Sequence, residues 1–152
     1  MTQIFCGFTK NHLTSVVKTS IMNIESEENI METLDLKVLG FENDDCVNVG
    51  GTCYQGVIKT TYDQLVDIFG EPTFTDADPY EKVNAEWTIE SKVVEKDEDE
   101  DDFFYKPFTI YNWKTGYIPT EEYEWHIGGH DFEAKEIADA IFENHINSKS
   151  EG

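Results

Sequence analysis

Three segments of this chain alternate apolar and polar residues at period two, and each carries one tryptophan: Ala85–Glu90, Phe108–Trp113 and Tyr123–Ile127. Such alternation sends successive side chains to opposite faces, so each segment reads as a strand with one covered and one wet face. Short connections or one acidic loop separate the three, which predicts an antiparallel meander. Parity also sorts the tryptophans. Trp87 shares its face with Ala85 and Ile89, and Trp125 with Tyr123 and Ile127, so both should point inward. Trp113 shares its face with Thr109 and Tyr111, while Phe108 and Ile110 take the other side. Trp113 is therefore the expected exposed indole.

Helical signals flank the meander. In Thr61–Pro72, Thr61 can N-cap and Gln64 can complete a capping box. Tyr62, Leu65, Val66 and Phe69 line one side, Gly70 suits a helix C-terminus, and Pro72 blocks continuation. A second helix should begin after Gly128-Gly129, capped by Asp131, with Ala134, Ile137, Ala138, Ile141 and Phe142 on its apolar side. Cys53–Lys59 reads as a further strand. The expected fold is α+β: an antiparallel sheet, a meander of at least three to four strands, with helices packed on one face. Residues 1–45 are set apart as an N-terminal segment packed on the domain, residues 46–146 as the α+β domain, and residues 147–152 as a frayed tail. Within 1–45, Ile4–Phe8 reads as a short strand, and Val16, Val17, Ile21 and Ile24 as helical. Glu25–Leu39 also reads as helix, with Ile30, Met31, Leu34 and Val38 on one side, and Glu42–Asp45 as loop.

Charge bounds the partners. The chain has 11 Lys and Arg against 32 Asp and Glu, a formal charge of −21. Nucleic-acid affinity comes largely from cations displacing counterions, so direct nucleic-acid binding is disfavoured. Anionic membranes are disfavoured for the same reason. Basic partners are favoured, and long-range attraction speeds their encounter. The run Glu95–Asp102 holds seven acids and one lysine, repels itself, and reads as a mobile loop. Most of the negative charge lies outside it. That charge reads either as a solvating surface or as a binding surface that imitates a polyanion. Within the run, Asp97, Glu98, Asp99, Glu100, Asp101 and Asp102 are the candidate partner-binding residues. Wholesale disorder is not expected, since 39% of the chain is hydrophobic and 13% aromatic.

No apolar run approaches the ~20 residues of a membrane span. The N-terminus lacks a secretory signal pattern, and three cysteines without a CxxC pair fit a reducing compartment. The chain reads as cytoplasmic. Catalytic motifs are absent: no GxSxG elbow, no P-loop ending after Gly50-Gly51-Thr52, no HExxH. Cys53 reads as a structural thiol. His126 and His130 are four apart, but Gly128-Gly129 between them places the pair on a strand end and a turn, a poor metal frame. No metal, no cofactor and no enzymatic role are expected. A second binding reading uses the aromatic strand face, with Tyr111, Trp113, Lys114, Trp125 and His126 as a small-ligand site, nucleotide-like in character.

The ordered strings Gly51–Gly56, Tyr62–Pro72, Asn84–Trp87, Ile110–Lys114 and Glu124–Gly129 resemble a family of small early accessory proteins of tailed, T4-like bacteriophages. The resemblance implies a non-enzymatic accessory role in the cytoplasm of an infected bacterium, with a host protein as partner. A helix ending Phe-Gly-Glu-Pro before strands bearing Glu-Trp and Tyr-Asn-Trp is also loosely similar to the helix-and-meander unit of β-lactamase inhibitor protein. That unit binds proteins on its sheet face. Only architecture carries over, because fold does not fix function.

Overall fold

The computed structural model describes residues 31–151. Helix α1 (Tyr62–Phe69) forms where its caps require it. The Thr61 hydroxyl accepts the Gln64 N–H at 3.2 Å. Gln64 does not complete a capping box; its side chain turns to the Thr60 hydroxyl instead. At the other end Gly70 takes φ 87°, a region that a Cβ disfavours, and donates its N–H to the Val66 carbonyl at 2.8 Å. Leu65 and Phe69 are buried beneath the helix.

Six strands make one antiparallel sheet: β1 (Leu36–Asn43), β2 (Cys53–Thr60), β3 (Phe74–Thr75), β4 (Ala85–Glu95), β5 (Phe104–Tyr111) and β6 (Tyr123–Gly129). Their order is β1-β4-β5-β6-β2, with β3 paired to the start of β4. The expected meander is β4-β5-β6, and β1 and β2 extend it at either edge. Inward positions on β4, β5 and β6 supply Trp87, Ile89, Val93, Phe108, Ile110, Trp125 and Ile127, all fully buried. Helix α2 (Glu133–Glu151) lays Ala134, Ile137, Ala138 and Ile141 against the same face. Its approach depends on Gly129, where an added Cβ would lie 2.2 Å from the Ala134 Cβ. The entry to α2 is held twice: the Asp131 carboxylate accepts the Glu133 N–H, and Lys106 on β5 pairs with Asp131 and Glu133 at 2.6 and 2.9 Å. Both helices therefore cover one face of the sheet, and the other carries half-exposed and exposed side chains such as Glu86, Tyr105 and Tyr111.

Three expectations at the ends of the chain are corrected. Leu36–Asn43 is an edge strand, not the end of a helix. Leu36 and Val38 alternate into the core, whereas Leu34 is 80% exposed in a turn tied by the Thr33 hydroxyl to the Leu36 N–H. The Leu34/Val38 spacing fits either period, and pairing with β4 decides it. Glu42 and Asn43, read as loop, belong to this strand. The polar tail continues as helix to Glu151, and Lys149 reaches Asp67 of α1 at 2.8 Å. The strand expected at Ile4–Phe8, the helical spacing of Val16–Ile24, and Ile30 lie outside the described residues. No helix among the described residues is long and apolar enough to cross a membrane.

Candidate functional site: an aromatic cleft on the open sheet face

Strand register fixes which side chains meet on the open face. One row runs Phe74, Glu86, Tyr111, His126, Val57, and the next runs Thr88, Thr109, Gly128, Tyr54. Gly56 makes the second row reach Tyr54: the β2–β6 register shifts between Tyr54 and Gly56, and Gly56 takes φ 147°. His126 is the hub. Its ring centroid lies 5.0 Å from Tyr54, 5.4 Å from Tyr111 and 6.3 Å from Trp113, the last nearly parallel at 24°. These four rings border a concavity of about 320 Å³. A second hollow of about 220 Å³ adjoins it, sharing Tyr54, Tyr111 and Trp113 and adding Glu86, Thr109, Cys53 and Gly128. Gly128 keeps the floor open, since a Cβ there would come within 2.6 Å of the Thr109 hydroxyl.

Trp113 stands just past β5 and is held from behind. Buried Asn112 accepts the Asn84 and Ala85 N–H groups at 2.7 and 3.0 Å through Oδ1. Its Nδ2 donates to the Asn84 Oδ1, the Thr115 hydroxyl and the Tyr117 carbonyl. The Trp113 N–H donates to the Tyr123 hydroxyl, and the Lys114 N–H to the Lys82 carbonyl. Lys114 adopts φ 59° in the process. As a result the Lys82 and Lys114 ammonium groups lie 5.9 and 5.6 Å from the Trp113 ring centre. Trp113 is 38% and Tyr54 57% exposed.

Burial sets the charges here. It pushes the Glu86 carboxyl above its ordinary value, and no described residue offers Glu86 a hydrogen bond or ion pair. Burial also lowers the His126 imidazole, with Glu124 opposing, so the ring is neutral at pH 7. Farther along the face, Glu42 and Glu90 sit directly opposite each other on β1 and β4. Burial raises both, and Asp44 adds to the effect.

Glu86 gives a pH signature. Its folded pKa lies above its unfolded one, so between them the folded state holds more protons, and stability falls as pH rises through that window. The penalty is fully present once pH exceeds the folded pKa. Glu86→Gln is expected to melt above the wild-type protein at pH 7, and the two should converge by pH 4, as followed by circular dichroism. His126 acts in the opposite sense but equally in both proteins, so the difference between them isolates Glu86.

Of the sequence-derived ligand residues, the structure brings Tyr111, Trp113 and His126 together and sets Lys114 at the rim. Trp125 is corrected: it is fully buried on the helix-covered face, because it lies one residue from His126 on the same strand. Tyr54 and Glu86 were not identified from sequence. Cys53 is exposed at the start of β2 on the border of the cleft, where a structural thiol was expected. The acidic residues Asp97–Asp102 form the exposed tip of the β4–β5 hairpin, with a 3-10 turn at Glu100–Asp102 and Glu100 3.7 Å from Lys37. Glu95 is nine residue steps along β4 from Glu86, so the tip lies roughly 30 Å from the cleft.

Glu86 and His126 are two strands apart with Tyr111 between them, about 10 Å by strand spacing, beyond the hydrogen-bond reach of an acid–base pair. His130 stands apart at the turn before α2. Among the described residues one group of three metal-ligating side chains converges, Asp44, Asp45 and Cys46. It lies on an exposed turn, and Asp44 pushes the Cys46 thiol upward, away from the thiolate a metal would need. Comparisons with family models, with curated proteins and with solved structures return no match to this chain.

Proposed function

We propose that this is a non-enzymatic binding protein that engages a basic partner protein through the open face of its sheet. The observation that carries the reading is the Tyr54–Tyr111–Trp113–His126 cleft with Glu86 beside it, on the sheet face opposite the helices. Exposed aromatics and desolvated carboxylates on one surface give both contact area and charge complementarity. Three further features support a basic partner. The chain carries −21. Glu42 and Glu90 repel each other across the strands, a cost that an incoming cation relieves. Exposed Phe74 and Tyr105 extend the aromatic surface along the same face.

Imitation of a nucleic acid would call for paired rows of carboxylates. On the open face β4 presents Glu86, Thr88, Glu90 and Lys92, while β5 opposite presents Tyr111, Thr109, Pro107 and Tyr105. That pattern favours individual basic side chains over a groove built for a polyanion. The resemblance to phage accessory proteins supports a bacterial host protein as the partner.

The test is capture from bacterial lysate across a salt series, using the wild-type protein and a Tyr54→Ala/Trp113→Ala variant. A partner that binds the wild type, elutes with salt and is lost by the variant supports the reading. Capture that is insensitive to salt, or unchanged in the variant, refutes it.

A further inference from the structure

The aromatic cleft has a more specific occupant, an inference that rests on the open-face reading. We propose that the cleft bordered by Tyr54, Tyr111, Trp113 and His126 seats the guanidinium of an arginine side chain from a basic partner protein, with the Glu86 carboxylate as its counter-ion.

Four observations lead there. The walls are ring faces and edges of two tyrosines, an indole and a neutral imidazole, and the faces of such rings attract cations. The adjoining hollow ends on Glu86, half-buried and without a hydrogen-bond or ion-pair partner among the described residues. A desolvated carboxylate of this kind is unfavourable alone and gains most from a cation that enters the same dry site. The chain already supplies two ammonium groups to Trp113, Lys82 and Lys114, yet neither forms an ion pair with Glu86. The Trp113 ring thus attracts cations while the carboxylate remains open. Finally, both hollows are small, about 320 and 220 Å³, suited to one side chain rather than a folded element.

Arginine fits better than lysine. Its guanidinium is planar, stacks on aromatic faces, is weakly hydrated, and can pair both oxygens of one carboxylate. Anions are a poor match, because they would enter against Glu86 and against the net charge of the chain.

The experiment uses N-acetyl-arginine amide as the probe and the three indole N–H signals of the whole protein in a two-dimensional NMR titration. Trp87 and Trp125 are buried on the other face, so they report that the fold is intact. The Trp113 signal is expected to move and to saturate with Kd on the order of millimolar, while the other two stay still. Glu86→Gln should weaken binding by about tenfold or more. The neutral, similarly shaped N-acetyl-citrulline amide should leave Trp113 unmoved. Lys82→Ala/Lys114→Ala should bind the arginine probe as well as the wild type or better, since it frees the ring. Equal binding of citrulline, an unchanged Kd in Glu86→Gln, or weaker binding in the double lysine variant would each overturn the assignment. The last outcome would point to an anionic, nucleotide-like ligand. If the arginine probe fails while salt-sensitive, face-dependent capture of a partner persists, the guanidinium assignment is wrong and the open-face reading stands.

Discussion

Trp87→Ala is expected to lower stability by about 3–5 kcal/mol, enough to shift a urea midpoint by about 2 M. Trp87 is fully buried, and its ring meets Trp125 edge-on at 5.4 Å and Tyr62 at 5.7 Å. Its indole N–H donates to the Gly70 carbonyl at 2.8 Å, tying the end of α1 to β4. Removing the ring therefore opens a cavity and leaves a helix-terminal carbonyl without its partner. A finer comparison separates the two effects. Trp125 is equally buried, but its indole N–H has no hydrogen-bond partner among the described residues. Trp87→Phe sacrifices a hydrogen bond, whereas Trp125→Phe removes a donor that is already unsatisfied. Trp87→Phe should be the costlier by about 1 kcal/mol. Equal losses in urea titrations would mean that the Gly70 bond contributes nothing.

Asn112→Ala should lower stability by about 2–4 kcal/mol, a large effect for a small side chain. Asn112 and Asn84 are both fully buried, and together they hold the segment before β4 to the segment after β5. Asn84 in turn donates to the Asp76 and Asp78 carbonyls. Truncation at Asn112 strands two buried backbone N–H groups, which is the costly direction for a lost hydrogen bond. The same change should reach the cleft, because Trp113 is the next residue. The Trp113 indole signal is expected to move in the NMR spectrum, and the arginine probe to bind more weakly. Normal stability with an unmoved Trp113 signal would remove the clasp from the account.

Much of the fold was legible because its signals are local. Thr61, Gly70 and Pro72 mark α1 without reference to the rest of the chain, and alternation places Trp87 and Trp125 on the inward face of their strands and marks Trp113, which stands just past the end of β5, as the exposed indole. The edge strand β1 was not legible. Leu34 and Val38 satisfy a helical spacing, and only pairing with β4 selects Leu36 and Val38 instead. The cleft was half legible for a related reason. Tyr111, Trp113 and His126 lie on or beside two strands whose adjacency the meander predicts. Tyr54 arrives from β2, about seventy residues earlier in the chain, through a register that Gly56 shifts. Glu86 is a routine wet-face glutamate until the register sets it beside Tyr111. The acidic run drew attention because it is conspicuous in sequence, yet it forms the exposed tip of a hairpin far from the cleft.

That contrast defines the most direct test of where this protein binds. A partner captured by the wild-type chain would be immobilised and its binding measured for two variants. One removes half of the acidic charge of residues 97–102 (Asp97→Asn, Asp99→Asn, Asp101→Asn), and the other opens the cleft (Tyr54→Ala, Trp113→Ala). The cleft variant is expected to lose affinity mainly through faster dissociation, and the tip variant to associate somewhat more slowly with dissociation unchanged. Loss of binding in the tip variant, with the cleft variant intact, would contradict the open-face account.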